Sequence, residues 1–187
     1  MKEMKMNWKR VNNGPINEPI LEYLERLFDE EIDKGYKIKV AIGTDSQKSG
    51  KGYKFATVIL VMTEESMGIE KGGAELVSGR GAMIIASTWW EEMKASTRLK
   101  KHREIEVLNQ RMLLEVSKSI EVAYEIQSLL ELYGIKLEIH ADINPDIDRG
   151  LSAGALNEAV GYILGMGYDF KIKPDAWAAS NAADSLC

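Results

Sequence analysis

The chain has 187 residues, 45% of them apolar and 28% charged, with a net charge of −5. That composition excludes a disordered chain, and no apolar run approaches the roughly 18 residues a membrane span needs. The acidic balance argues against coating nucleic acid by charge alone, but not against a nuclease, whose metal-binding carboxylates themselves lower the net charge.

Residues 1–16 carry Asn12, Asn13, Gly14 and Pro15 and read as an irregular lead-in. Asn17 then stands as an N-cap, with Pro19 just inside a helix. Ile20, Leu21, Leu24, Leu27, Phe28 and Ile32 recur at helical spacing, and Gly35 is a stop signal, so a helix is predicted over about 18–34. Strand-like runs follow at 36–44, 53–62 and 82–90. The gap from Ser46 to Gly52 is short and suits a hairpin. The gap from Thr63 to Gly81 is long, polar and glycine-rich, and is expected to be a loop excursion.

A helix is predicted over about 97–133, closed by Gly134. A strand at 135–142, a helix at 151–166, a strand at 168–173 and a last helix from about Asp175 complete the chain. Sequential strands followed by strands alternating with helices predict an α/β fold. Its mixed five-stranded sheet, three antiparallel strands then β-α-β-α, is flanked by helices and preceded by an extra N-terminal helix. That is the element order of the ribonuclease H-like fold. Residues 1–35 read as an N-terminal extension and helix, and 36–187 as the domain. Cys187 is the only cysteine, so no internal disulfide can form, and Met1–Arg10 has no apolar core behind its basic residues. A cytoplasmic location is expected.

Chemistry gathers on carboxylates. Asp45 closes the first predicted strand and Asp142 the fourth. If those strands are parallel neighbours, both emerge at the sheet's carboxyl edge, where α/β proteins place their sites. Turn aspartates bonding their own backbone are the structural alternative. Glu115 is the one charged member of the stripe Ile105, Leu108, Met112, Glu115, Ser119, Val122, Ile126, Leu129, Tyr133. A carboxylate on an apolar helix face needs a metal ion or an arginine to offset its desolvation. Either that or a helix rotated to expose it is open. Asp175 and Asp184 lie nine residues apart and would face opposite ways on one continuous helix. Asp175 suits a helix first turn. Asp184, among Ala178, Ala179, Ser180, Ala182 and Ala183, is favoured as the fourth carboxylate. Magnesium or manganese takes such oxygen ligands, and two ions about 4 Å apart can activate water and stabilise a leaving oxygen.

The segments Ile42-Gly43-Thr44-Asp45-Ser46-Gln47, Leu114-Glu115, the Asp142 strand end, and Lys171-Ile172-Lys173-Pro174 with Ala178-Ala179-Ser180 resemble the YkuK-type, ribonuclease H-like family of bacteria, over roughly 36–187. The resemblance implies a link to ribonuclease H, in which a first-strand aspartate, a first-helix glutamate, a fourth-strand aspartate and a last-helix aspartate bind two metal ions. Asp45, Glu115, Asp142 and Asp184 would fill those places, as catalytic residues and metal ligands. The family's glutamate often directly follows an Asn-x-Arg-Met-like run. Here Asn109-Gln110-Arg111-Met112 is followed by Leu113, with Glu115 two residues on.

Lys94, Arg98, Lys100, Lys101, His102 and Arg103 form the one basic cluster, able to hold phosphates or simply to solvate a helix start. Lys171 and Lys173 read as an edge-strand guard against aggregation. Trp89 and Trp90 could stack bases, although adjacent strand residues face opposite ways, which turns one of them to the core. Asp142 to Asp148 begins like a calcium loop, but Ile147 and Ala153 stand where glycine and glutamate are required; Asp146 or Asp148 could still support the site from outside. His102 and His140 do not make a zinc site. The reading that follows is a magnesium- or manganese-dependent nuclease acting on DNA or RNA, with the basic cluster on the phosphate backbone. The alternatives are a non-catalytic nucleic-acid-binding or scaffold domain, and, fitting poorly at this length, an actin-like ATPase.

Overall fold

A computed structural model of the chain describes residues 6–69, 75–96, 99–142, 160–172 and 174–187. The strands are β1 (Lys9–Arg10), β2 (Gly14–Pro15), β3 (Lys37–Ser49), β4 (Gly52–Ile69), β5 (Glu75–Glu91), β6 (Leu137–Ala141) and β7 (Asp169–Lys171). The helices are α1 (Ile20–Asp33) and α2 (Lys100–Tyr133). A short helical stretch at 160–165 precedes β7, and a wide π-type turn (Ala178–Ala183) runs into a 3₁₀ turn (Asp184–Leu186).

One seven-stranded sheet has the order β2-β1-β5-β4-β3-β6-β7. β3, β4 and β5 pair antiparallel, while β3–β6 and β6–β7 are parallel. The sheet thus has seven strands where five are expected. The two extra are the two-residue pieces β1 and β2, which add to the free edge of β5. Pieces so short show no periodicity, so residues 1–16 look irregular in sequence.

Other boundaries shift for physical reasons. α1 starts at Ile20 with Pro19 in the N-cap position and no side-chain cap, rather than being capped by Asn17. β4 and β5 continue past the first residue of β3, pairing Glu64 with Gly79 and Ile69 with Glu75 across bulges. The expected loop from 63 to 81 is therefore largely a two-stranded arm. Its strands satisfy each other's backbone groups without any apolar alternation to reveal them. The helix expected over 151–166 is described only at 160–165; its remainder, with Asp146 and Asp148, lies outside the described residues.

The two sheet faces differ. On one, Val40, Ile42, Ile59, Val61, Ile85 and Ile139 pack against α1 and α2. α1 contributes Ile20, Tyr23, Leu24, Leu27 and Phe28 at helical spacing. α2 ends as expected at Gly134, whose φ of 64 suits glycine. On the other face, Ala41, Ala56, Val58 and Ala86 meet Ala178, Ala182 and Ala183. Small side chains on both partners let the last segment lie nearly against the backbone of β3. A Cβ on Gly43 would come within 2.5 Å of the Ala179 nitrogen. Among the described residues no helix is long and apolar enough to cross a membrane.

Candidate active site

β3 and β6 are parallel neighbours, with Thr44 opposite Ala141. β6 ends there, so Asp45 and Asp142 each follow the last paired position. Asp45 does not end its own strand, as the sequence suggests. β3 runs on to Ser49, paired with β4 throughout, and the turn is only Gly50 and Lys51. The aspartate sits in mid-strand, at the point where its partner on the other side stops.

The pleat sends alternate residues to opposite faces. Asp45, Gln47, His140 and Asp142 share the face that carries the last segment. Ser46 and Thr44 share the α2 face. On the last segment, Ser180 Oγ donates to Asp142 Oδ1 at 2.8 Å, and Asp184 Oδ1 accepts from Gln47 Nε2 at 2.5 Å. His140 anchors that segment. Its Nδ1 accepts the Ala178 N–H at 3.1 Å, which places the ring proton on Nε2, toward Glu138 Oε2 at 3.1 Å. Asp175 is exposed in the turn before the segment, away from this cluster, because the chain there is a turn and not one continuous helix.

Glu115 enters from α2. Its side chain is 13% exposed, and its Oε1 accepts from Ser46 Oγ at 2.5 Å. Arg111, one helical turn earlier, lies 3.6 Å from the same oxygen. Arg111 also donates through Nε to Ser46 Oγ at 2.8 Å and through Nη2 to the Ser46 carbonyl, and it stacks over Tyr53 at 4.5 Å. The arginine considered as an offset for Glu115's burial is therefore present, but not at close contact. A hydroxyl chain continues inward, with Thr44 Oγ1 at 2.9 Å from both Thr57 Oγ1 and Ser119 Oγ.

Asp45 and Glu115 feel the neighbouring carboxylates. Burial, then the charges of Asp142 and Asp184, raise the pKa of Asp45 to about 6, against a lowering by the Ser46 backbone N–H. Burial, with Asp45 and Asp142, raises that of Glu115 to about 8, although Ser46 and Arg111 pull the other way. Burial foremost pushes the Cys187 thiol up to about 12; it donates to the Asp45 carbonyl at 3.2 Å. Beside the carboxylates an open cleft runs between α2 and β6, floored by Met112, Val116 and Ile139 and flanked by Glu115 and Asp142.

Among the described residues, no three His, Cys, Asp or Glu side chains converge closely enough to hold a metal ion as they stand. The donor chemistry nevertheless suits a hard divalent cation: carboxylate oxygens crowded together, two of them carrying raised pKa values.

The basic cluster is more remote. Lys94, Lys100 and Arg103 are exposed, and Lys94 lies 3.7 Å from Glu92. Arg103 is about 18 Å from Glu115 along the helix axis, at 1.5 Å per residue. Arg98 and the Lys101 side chain lie outside the described residues. Five site neighbours escape the sequence reading: Ser46, Arg111, Gln47, Ser180 and His140. The first two carry a signal, since Ser46 adjoins Asp45 and Arg111 precedes Glu115 by four residues. The other three become neighbours only through the tertiary fold.

A family model described as Ribonuclease H-like matches residues 93–187, about half of the chain. No curated protein and no solved structure matches it. The matched half carries Glu115, Asp142 and Asp184, while Asp45 comes from the strands outside it.

Proposed function

The chain belongs to the ribonuclease H-like family, and from that premise we propose that it is a divalent-metal-dependent nuclease. The observation that carries the proposal is the meeting of Asp45, Glu115, Asp142 and Asp184. They come from β3, α2, the end of β6 and the last segment; Asp142 and Asp184 lie close enough to raise the pKa of Asp45, and Asp45 and Asp142 that of Glu115. Burying like charges together is costly unless a cation offsets them. The sequence resemblance to the YkuK-type group supports the same reading.

Asp45 and Asp142 are assigned as the principal ligands for magnesium or manganese, Asp184 as a further ligand, and Glu115 as ligand or water-orienting group. Bound ions would supply Lewis-acid stabilisation of the phosphodiester and a more acidic water. The chain's own groups prepare for that. Ser180 holds one oxygen of Asp142, Gln47 holds one oxygen of Asp184, and Ser46 with Arg111 fixes the Glu115 carboxylate. The basic residues of 94–103 are assigned to phosphates flanking the cut.

A second reading is a non-catalytic nucleic-acid-binding or scaffold domain. It is favoured by one observation: among the described residues, no three His, Cys, Asp or Glu side chains converge closely enough to hold a metal ion. Asp45→Asn and Asp142→Asn separate the two. In a nuclease they abolish turnover and manganese binding. In a binding module they leave nucleic-acid affinity unchanged, or strengthen it by removing negative charge.

A further inference from the structure

The nuclease assignment leaves the tip of the β3–β4 hairpin unused. Lys51 is exposed in the turn there, and among the described residues no ion pair or side-chain hydrogen bond engages it; Lys48, paired with Tyr53, points to the α2 face instead. Across the sheet, Gln47 pairs with Lys54, and Lys54 with Trp90. Directly paired residues share a face, and residues two apart on a strand do too. Trp90 therefore stands on the same face as Asp45, in the row of Gln47, which itself donates to Asp184. The Trp90 backbone lies two strand spacings, about 10 Å, from that of β3, and its side chain reaches back across Gly52 toward it.

Trp90 is fixed in place yet open. Its indole N–H donates to the Ser49 carbonyl at 3.1 Å. It lies so close on Gly52 that a Cβ there would be 2.4 Å from its Cζ2. Even so, 50% of its surface faces solvent. Trp89 does not share this state: it is half-buried on the opposite face, stacked on Phe55 at 5.1 Å. A rigid, exposed indole beside an exposed lysine is the chemistry that holds single-stranded nucleic acid: an aromatic surface for an unstacked base, an ammonium group for a phosphate.

We propose that Trp90, with Lys51, forms a subsite for single-stranded nucleic acid a few nucleotides from the carboxylates. The proposal rests on the nuclease reading for its neighbour, and deepens it by naming the substrate class: a strand with an unpaired stretch beside the cut. In a duplex the base faces are already covered by neighbouring bases, so an intact duplex gains nothing from Trp90.

The test is fluorescence anisotropy of the full chain with labelled oligothymidine in chelator, so that binding is read without cleavage. Trp90→Leu should weaken binding about tenfold, whereas Trp90→Phe, which keeps a ring, should hold affinity within about threefold. The Lys51→Ala variant should lower the slope of log affinity against log salt by about 0.7, the value for one phosphate contact. A blunt duplex of equal length should compete poorly. Wild-type affinity in Trp90→Leu, equal loss in Trp90→Phe, or a duplex competing as well as the single strand would each overturn the subsite. The two readings fail separately. If only the nuclease reading fails, Trp90-dependent binding persists while magnesium brings no cleavage. If only the subsite fails, cleavage proceeds while binding ignores Trp90.

Discussion

Glu115 and Asp45 hold their protons more tightly than free carboxylates do, because burial disfavours their charged forms and their neighbours are acidic. With folded pKa values of about 8 and about 6 against ordinary values of 4.5 and 3.8, the folded state binds more protons than the unfolded chain across that window. Their contribution to stability is complete below the ordinary values and is lost as pH rises through about 6 and then about 8. In chelator, the thermal midpoint should therefore fall between about pH 5 and pH 9. Glu115→Gln should flatten the upper part of that fall, and a series of melting curves across pH checks both. Ser46→Ala removes the hydroxyl that Glu115 and Arg111 share. Leaving those buried groups under-satisfied should cost about 1–3 kcal/mol, measurable by urea unfolding. At this scale the sequence is partly legible. Glu115 stands out because a charge interrupts an apolar stripe. Ser180 and Gln47 do not stand out, since a polar residue's value as a partner depends on which strand or turn the fold brings beside it.

At the level of elements, the last segment is the adjustable part. It carries Ser180 and Asp184, and it is held by His140 and by its near contact with Gly43. Gly43→Ala would drive a methyl group into the Ala178–Ala179 backbone, so the segment must move and take Asp184 with it. The expected outcome is a loss of about 1–3 kcal/mol in urea unfolding, with a larger relative loss of manganese affinity in calorimetric titration. Unfolding as in wild type with unchanged manganese binding would remove the segment from the site. α1, α2 and the central runs of β3 to β5 are legible in sequence, since each shows a clean period or a dense apolar run. The β4–β5 arm is not legible, because its polar, glycine-containing strands pair only with each other. The end of β3 is missed for a related reason. Its polar residues Ser46 to Ser49 look like a turn, although they pair with β4 up to Gly52.

Across the whole molecule, a chain of net charge −5 is asked to act on a polyanion. Cations bound among the carboxylates, and Lys51 at the hairpin tip, would together offset that repulsion locally. Metal that binds only the folded state also stabilises it, by about 2.7 kcal/mol at one hundred times its dissociation constant. Magnesium should accordingly raise the thermal midpoint of the wild type at pH 8, and Asp142→Asn should abolish the rise. The central claim is tested most directly by incubating the protein with labelled single-stranded DNA, single-stranded RNA, duplex RNA, RNA/DNA hybrid and a branched junction, each with magnesium, manganese or chelator, beside Asp45→Asn. The account predicts metal-dependent cleavage of at least one substrate that disappears in Asp45→Asn. Intact substrates throughout, with no manganese bound by the wild type, would contradict it and leave a nucleic-acid-binding domain on a ribonuclease H-like fold.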